Sequence, residues 1–288
     1  MIGKDIRLNS PFLSDQTKVA DLFFFGLALL LAVLFIYPVY FSIISAFKTQ
    51  GEIMRDPMAL PSAFRIDNFI YLWNETRLPA AFVKTAFLTF VSTGFMVLVI
   101  PMAAYVLERR KSRLSSILYI FFISGMMIPF QAYMIPLFQQ MKYLHLFGKL
   151  YSPIVVYVSG ATAFGTLLFT SFIKGIPRDI EESAALDGCN SFTTFWRIVF
   201  PLLGPCTVSM IILQGLGIWN DFLMPLLVLP SNQAKTINVE IYSYVGELAT
   251  RWDVLFAGSL CSMIPIVLIF AFLQKYFVKG IMAGTVKG

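Results

Sequence analysis

The chain has 288 residues, of which 58% are hydrophobic and only 13% are charged, with a mean hydropathy of +0.76. Soluble domains carry roughly 25% charged residues, so this composition excludes an ordinary soluble protein and indicates an integral membrane protein. The net charge of +6 does not indicate nucleic-acid binding, because the basic residues lie beside apolar segments. The three cysteines form no CxxC pair and His145 is the single histidine, so we expect neither a disulfide framework nor a metal site.

Six uncharged runs of spanning length follow one another along the chain. They are residues 22–47, 85–107, 114–141, 150–173, 198–220 with a continuation to 229, and 254–274. Each exceeds the roughly 20 residues that cross a hydrocarbon core of about 30 Å, and none shows the alternation of a membrane β-barrel. Because backbone groups in lipid must be paired internally, we expect helices. The polar N-terminus lacks the usual form of a cleavable signal peptide, so the first run is predicted to be a retained helix.

Basic residues near the ends of these runs predict the orientation of the chain. They cluster in the N-terminal segment, in the loop after the second run and near the C-terminus: Lys4, Arg7, Lys18, Arg109, Arg110, Lys111, Arg113, Lys275, Lys279 and Lys287. The sequence therefore predicts an all-α integral membrane protein with six transmembrane helices and both termini inside. Its parts are a cytoplasmic segment over residues 1–21, the helical domain over 22–279 and a cytoplasmic tail over 280–288. The external loop 230–253 is either a solvated connection or a contact for an external partner.

A polar island over residues 176–205 separates the fourth and fifth runs, on the predicted cytoplasmic side. Pro177 suits the first position of a short helix, whose first turn contains three acidic residues: Asp179, Glu181 and Glu182. Residues 183–185 (Ser-Ala-Ala) form a surface of small side chains that another protein could approach closely. Gly188 suits a left-handed position just after the helix. The pattern predicts a short helix, a tight turn and then a second helix.

That second helix is predicted to be amphipathic, with Ser191 as its N-cap. Its apolar stripe follows the spacing i, i+3, i+4, i+7: Phe192, Phe195, Trp196 and Val199. Pro201 marks the return to the membrane.

Polar residues are few within the apolar runs. Trp219, Asn220 and Asp221 close the fifth run, and Gln131 lies in the third. An acid inside an apolar segment usually faces a cavity or a partner, so these four residues are candidates for a substrate path. The alternative is that Asp221 only caps the outer end of the fifth helix, which lies roughly 30 Å from Pro201 at 1.5 Å per residue.

The polar island resembles the cytoplasmic loop of the permease subunits of ATP-binding-cassette (ABC) importers. That loop reads Glu-Ala-Ala, three residues, Gly, nine residues, Ile, one residue and Leu-Pro. Here Glu182-Ser183-Ala184 precedes Gly188 and then Ile198 and Phe200-Pro201, with Ser183 and Phe200 as mild departures. The resemblance implies that the loop docks into a cleft on a separate ATPase subunit. The residues it implicates are Arg178, Glu181, Glu182, Ser183, Ala184, Ala185, Asp187 and Gly188, with Glu182 and Asp187 holding the helix by capping or ion pairing.

Other segments resemble the carbohydrate permeases of the maltose-transporter type, in particular the smaller of the two permeases. They are residues 45–49 (SAFKT), 103–105 (AAY), 127–131 (MIPFQ), 135–138 (IPLF), 219–222 (WNDF), 225–226 (PL), 274–280 (QKYFVKG) and 283–288 (AGTVKG). The resemblance implies a second homologous permease, two ATPase subunits and an external sugar-binding protein, in the cell membrane of a bacterium or archaeon. It also implies that loop 230–253 reaches toward the binding protein and that the tail, with Gly284 and Lys287, approaches the ATPase subunits.

The chain has no GxxxxGK[ST] loop, so we expect no ATPase activity of its own, no cofactor on this chain, and ATP with Mg²⁺ on the partner ATPase subunits. Three alternatives stay open. The importer could carry another solute, such as glycerol phosphate or a polyol. The chain could be a stand-alone secondary transporter or channel, although six helices without visible repeats are few for the commoner transporter folds. An intramembrane enzyme would need an Asp pair, a Ser–His pair or HExxH, which one loop histidine cannot supply.

Overall fold

The structure, a computed structural model, describes residues 11–229, 235–246 and 250–285. These residues form helices and, within the described ranges, no strand. The α-helices are α1 Pro11–Ala46, α2 Gln50–Arg55, α3 Asp67–Asn74, α4 Leu78–Arg109, α5 Arg113–Ser124, α6 Phe130–Tyr143, α7 Ser152–Lys174, α8 Asp179–Leu186, α9 Ser191–Thr194, α10 Phe200–Leu202, α11 Gly204–Asn220, α12 Leu223–Val228, α13 Ile237–Tyr242 and α14 Trp252–Thr285. A 3₁₀ turn, Gly125–Met127, follows α5, and a π-helical turn, Phe195–Val199, joins α9 to α10.

Among the described residues, four helical segments are long and apolar enough to cross a membrane unbroken. They are Asp21–Ala46, Leu78–Arg109, Ser152–Lys174 and Trp252–Ile269. Two further pairs pass the same test only together: Arg113–Met127 with Phe130–Tyr143, bent by 108°, and Ser191–Leu202 with Gly204–Asn220, bent by 75°. The chain therefore has four such spans, or six if each bent pair crosses as one, and the predicted third and fifth spans are not straight helices.

Both bends occur next to proline. Ile128 and Pro129 adopt extended backbone between the 3₁₀ turn and α6, because a residue before proline is disfavoured in the helical region. At the second bend α10 ends at Leu202, Leu203 lies between the two helices, and Gly204 and Pro205 begin α11. Proline lacks the N–H that would continue the preceding helix, so each apolar run changes direction at this point.

The main core lies where α4, α7 and α11 pack together. Its buried side chains include Ile100 from α4, Phe169 from α7 and Met210 from α11. Gly165 of α7 allows the closest approach, because a Cβ there would lie 2.8 Å from Ile100 Cγ2 and 3.0 Å from Met210 Cε. Small residues at helix crossings are a common way for membrane helices to pack closely. Phe195 and Val199 of the π-helical turn join the same core.

A second core forms from the loops that the sequence predicts to be external. We call the assembly of α2, α3, α13 and the start of α14 the loop cluster. Its buried residues are Ala46, Leu72, Leu78, Ile237, Ile241, Val254 and Ala257. The loop cluster is tied to α4, because the Ile237 N–H donates to Thr85 Oγ1 at 2.9 Å. The two loops therefore form one packed unit rather than two separate connections.

Candidate functional site

Helix α8 is the short helix predicted in the polar island. It begins at Asp179 with Arg178 as its N-cap, so the prediction that Pro177 occupies the first helical position is wrong by two residues. The three acidic residues do lie in its first turn, as predicted: Asp179, Glu181 and Glu182. Carboxylates there interact favourably with the helix dipole.

The turn after α8 is built around Gly188, whose φ of +84° confirms the predicted left-handed position. The Gly188 N–H donates to the Ala185 carbonyl at 3.0 Å, and the Cys189 N–H donates to the Ala184 carbonyl at 3.0 Å. These two bonds make a Schellman motif, which pairs the last carbonyls of the helix and fixes the direction in which the chain leaves it.

The second helix of the island begins one residue earlier than predicted. Asn190, not Ser191, is its N-cap, because the Asn190 side chain accepts a hydrogen bond from the Thr193 N–H at 2.8 Å. The π-helical turn then inserts an extra residue per turn and rotates the apolar stripe. Phe195 and Val199 of this turn are buried, whereas Phe192, in α9 before it, is 63% exposed.

The exposed face of α8 differs from the predicted one at a single position. Ser183 and Ala185 are exposed, but Ala184 is only 4% exposed and packs inside the chain. The prediction that Ala184 belongs to the small docking surface is therefore wrong for its side chain. Leu186, one residue before the cap, is 90% exposed. The exposed side chains of α8 thus include two small residues and a large apolar one, of which Ser183 and Leu186, three residues apart, lie on the same side of the helix.

The inner surface of α8 is held by contacts from α4. Arg109 pairs with Glu181, with Nη2 2.6 Å and Nε 2.7 Å from Oε1. The Tyr105 hydroxyl donates to Glu181 Oε2 at 2.7 Å. Both sides of the ion pair are only 14% exposed. No spacing in the sequence pointed to these contacts, although Tyr105 and the basic loop after it both lie at the exit of the second run.

A cavity of about 250 Å³ lies beside these contacts. It is lined by Tyr105, Arg109, Arg178, Glu181, Glu182, Ala185, Cys189, Ser191 and Thr194. The structure therefore brings Arg178, Glu181, Glu182 and Ala185 around one concavity between α8 and α9. Asp187 and Gly188 are exposed at the end of α8.

The four candidates for a substrate path have different surroundings. Trp219 is 5% exposed, and its Nε1–H donates to the Ser262 carbonyl at 3.1 Å. Asn220 is exposed, and its amide nitrogen donates to the Leu216 carbonyl at 3.0 Å. Gln131 is exposed at the start of α6, on a different bent pair.

Asp221 uses both carboxylate oxygens within the chain. Oδ2 accepts from the Tyr157 hydroxyl at 2.9 Å, and Oδ1 accepts from the N–H groups of Leu223 and Met224 at 3.0 and 3.3 Å. Asp221 thereby ends α11 and caps α12, which is the alternative that the sequence left open for it. Contact with a substrate stays a prediction.

Trp219 also lines an apolar cavity of about 170 Å³ between α4, α11 and α14. Thr89 and Thr93 supply hydroxyl groups at its wall, and the remaining lining is Phe90, Ile211, Ile212, Gly215, Leu216, Ile266 and Ile269. Thr93 donates its hydroxyl to the Thr89 carbonyl at 2.7 Å. A sugar would find few free polar partners here.

The predicted C-terminal contact lies at the edge of the described chain. Helix α14 continues to Thr285, so Gly284 lies in a helix and the segment predicted to be a separate tail is largely a helical extension. Lys287 lies outside the described residues.

The loop cluster is cross-linked by polar contacts. Gln50 donates to the Thr250 carbonyl at 2.8 Å and accepts from the Asp253 N–H at 3.3 Å. Lys48 is buried, and its ammonium donates to the carbonyls of Asp56 and Pro57 at 3.2 and 2.9 Å. The Gln50 contacts join the first loop to described residues at the end of the second, and the Lys48 contacts close the first loop on itself.

Glu52 closes the first of these loops. Hydrogen bonds from the side chain and backbone of Ser62 and from Thr49 hold the pKa of the Glu52 carboxyl at about 2, well below its ordinary 4.5. Thr49 and Glu52 also form a capping box at the start of α2. The Glu52 carboxylate therefore joins Thr49 and Ser62 within this loop.

Comparison with known proteins agrees with this arrangement. The family model described as binding-protein-dependent transport system inner membrane component matches residues 96–283, which include the whole polar island. The chain is 32% identical over 261 residues to the probable starch degradation products transport system permease protein AmyC of Thermoanaerobacterium thermosulfurigenes, covering 91% of this chain and 95% of that protein. It is 32% identical over 286 residues to the arabinooligosaccharides transport system permease protein AraQ of Halalkalibacterium halodurans, covering 98% and 99%.

A solved structure shares the fold. It belongs to a bacterial ABC transporter involved in the import of the acidic polysaccharide alginate. The match has a TM-score of 0.83 at 20% identity and covers 93% of this chain and 100% of that chain. At this identity the likeness concerns the fold alone.

Proposed function

Because the chain belongs to the family of binding-protein-dependent transport system inner membrane components, whose matched members are sugar ABC permeases, we propose that it is one of two permease subunits of an ABC importer for an oligosaccharide. It crosses the cytoplasmic membrane of a bacterium or archaeon six times, with both bent pairs counted as spans and both termini inside. Two separate ATPase subunits bind ATP and Mg²⁺ and supply the energy.

The observation that carries the proposal is the exposed face of α8. A helix of eight residues, ended by a Schellman motif, stands between two spans and exposes Leu186 at 90% beside Ser183 and Ala185. One exposed leucine is ordinary on a protein surface; its place beside small residues on a short helix with a fixed turn, within the loop pattern of residues 182–201, favours a docking surface here. The ATPase subunit is the partner that the family pattern supplies for this position.

In the proposed mechanism the ATPase subunits move α8 as a rigid body. ATP binding closes the two ATPase subunits on each other, and α8 follows because its face lies in a cleft on one of them. The transmembrane helices then rock between inward-open and outward-open arrangements. The Gly188 turn keeps α8 at a fixed angle to the π-helical segment, which is packed in the main core.

The loop cluster is the proposed docking face for the external binding protein. Its two loops share a core and several hydrogen bonds, so contact at one loop displaces both. Its link from Ile237 to Thr85 connects that face to α4. The end of α14 with Gly284, and Lys287 after it, is proposed to approach the ATPase subunits.

The sugar passes between this chain and a homologous second permease. Asn220 and Gln131 are the exposed polar candidates for contacts on this side, with Trp219 and Asp221 shaping the wall. The second permease contributes the facing half of the passage.

Reconstitution of the complete complex tests the proposal. The chain is assembled in lipid nanodiscs with the candidate second permease, ATPase and binding protein, and ATP hydrolysis is measured over a panel of oligosaccharides, polyols and glycerol phosphate. We expect stimulation by one class of oligosaccharide, and only when the binding protein is present. Stimulation by a polyol or by glycerol phosphate instead would show that the importer carries that solute and not an oligosaccharide. No stimulation by any solute, together with uptake by this chain alone, would make it a secondary transporter.

Cross-linking tests the docking face separately. In a Cys189→Ser background, a cysteine-attached photo-cross-linker is placed by Ala185→Cys or by Ala184→Cys. We expect the exposed position 185 to cross-link to the ATPase subunit and the buried position 184, which is its matched control, to fail. Equal cross-linking at both positions would show that α8 does not present this face.

A further inference from the structure

Helix α8 is joined covalently to two helices and non-covalently to a third. The segment 175–178 connects it to α7, and the Gly188 turn connects it to α9. Movement of α8 reaches those helices through the backbone. Helix α4 lies 72 residues away along the chain at the Arg109–Glu181 pair. Side-chain contacts are therefore the direct link between α8 and α4, in addition to the indirect link through α7, which packs on α4 in the main core.

The contacts from α4 are both with the carboxylate of Glu181. Tyr105 and Arg109 are four residues apart on α4, so they project from the same face of the helix. The Arg109 guanidinium donates to Oε1 of Glu181, and the Tyr105 hydroxyl donates to Oε2. The Arg109 guanidinium also donates to the Ile176 carbonyl at 3.0 Å, which fixes the segment between α7 and α8. We call Tyr105, Arg109 and Glu181 the α4–α8 clamp.

The clamp differs from an ordinary surface ion pair. Exposed pairs contribute little because water screens them and long side chains lose entropy. Here both charged side chains are 14% exposed, and the carboxylate accepts from two residues at once. The Tyr105 ring also contacts the Phe195 ring, with centroids 5.2 Å apart, which holds the hydroxyl in place. Removing either Arg109 or Glu181 would leave the charge of the other side chain partly desolvated and unpaired.

Helix α4 extends the clamp to the opposite end of the molecule. It is a single helix of 32 residues, about 48 Å at 1.5 Å per residue, with Pro101 inside it near the clamp. Near its start, Leu78 lies in the core of the loop cluster and Thr85 accepts from Ile237. One helix thus touches the proposed binding-protein face at its start and the proposed ATPase-docking helix at its end.

We infer that Tyr105, Arg109 and Glu181 act as positioning residues that lock α8 to α4, so that one continuous helix couples ATPase movement to the loop cluster. The inference rests on the proposed function and adds a direct route to it. Loss of the clamp would leave α8 docked on the ATPase subunit and joined to α4 only indirectly, through α7. ATP would then be hydrolysed with less sugar imported for each ATP.

The test uses the complete complex in proteoliposomes and measures two rates together, sugar uptake and ATP hydrolysis. The variants are Arg109→Gln, Tyr105→Phe, Glu181→Gln and the double variant Arg109→Gln with Glu181→Gln. Tyr105→Phe keeps the ring and its packing on Phe195, so it removes only the hydroxyl. Arg110→Gln is the matched control, because Arg110 is the next residue, is exposed, and has no side-chain partner among the residues that the structure describes.

For Arg109→Gln we expect sugar imported per ATP to fall about tenfold, within the range of typical coupling free energies between sites. Tyr105→Phe should show a smaller fall in the same ratio, and Arg110→Gln none. The double variant should lower the ratio by less than the product of the two single effects, because both substitutions break the Arg109–Glu181 pair. An unchanged ratio in Arg109→Gln and Tyr105→Phe would overturn the inference. So would uptake and hydrolysis falling together with loss of assembly, because that marks a merely structural role. A wild-type complex that hydrolyses ATP without importing sugar would instead contradict the proposed function.

Discussion

Replacing Gly188 probes the most local feature of the proposed docking loop. The residue has a φ of +84°, and a Cβ at this position would meet nothing within 4 Å. Substitution by alanine therefore adds no clash, and its cost is the backbone conformation alone, roughly 1–2 kcal/mol for an L-residue in the left-handed region. That free energy lowers the ratio of the native turn to other loop conformations by about 5- to 30-fold. Both bonds of the Schellman motif are lost in those other conformations.

The assay is sugar uptake and ATP hydrolysis by the reconstituted complex. Gly188→Ala should lower coupled uptake by up to that factor, because the fraction of native turn falls no further than its ratio to the other conformations. Gly188→Asn should keep more of the uptake, because Asn tolerates left-handed backbone better than other non-glycine residues. Gly204→Ala is the control, since Gly204 lies in a helix with open space around its Cβ position and no positive φ. Equal activity of Gly188→Ala, Gly188→Asn and wild type would refute the argument that the turn conformation is needed.

Three further predictions concern other parts of the fold. Glu52→Gln should lower the melting temperature at neutral pH. Because the folded pKa of the Glu52 carboxyl, about 2, lies below the ordinary 4.5, the difference in melting temperature from wild type should persist above pH 4.5 and shrink as the pH falls toward 2. A difference that does not depend on pH would contradict this. Gly165→Ala should destabilise the protein by about 1–3 kcal/mol through overpacking against Ile100, whereas Gly160→Ala on the same helix should be tolerated in thermal unfolding. Asp221→Asn should keep both stability and sugar uptake because its amide oxygen still caps α12, and normal melting with lost uptake would instead assign the carboxylate to the substrate.

Local chemistry explains what the sequence could predict. The left-handed turn at Gly188 and the acidic first turn of α8 depend on a few neighbouring residues, and both are present in the structure. The positions of the apolar segments follow from composition over about 20 residues. Hydropathy carries no information on direction, so the 108° and 75° bends were not predicted, although Pro129 and Pro205 mark both of them.

Contacts between distant segments explain what could not be predicted. Glu181 meets Tyr105 and Arg109 only because α4 and α8 come together in the fold. Ala184 is buried in the folded chain, although the small residues around it suggested a continuous docking surface. No spacing within the polar island distinguishes Ala184 from Ala185. Phe192 is likewise exposed, although it belongs to a stripe that has regular helical spacing.

The union of the two loops into the loop cluster is a further long-range effect. Gln50 contacts Thr250 and Asp253 across about 200 residues of sequence. Read one loop at a time, loop 230–253 gave no reason to prefer a contact over a solvated connection. Packed against α2 and α3, it forms part of one surface that a binding protein could engage.

Concentrative uptake by the complete complex tests the central proposal most directly. Proteoliposomes containing this chain, the second permease and the ATPase subunits receive sugar-loaded binding protein outside, with either ATP or a non-hydrolysable ATP analogue enclosed. We expect the oligosaccharide to accumulate above its external concentration with ATP only, and not when the ATPase subunits are omitted. Equal accumulation with the analogue, or without the ATPase subunits, would contradict the assignment of this chain as the permease of an ATP-driven importer.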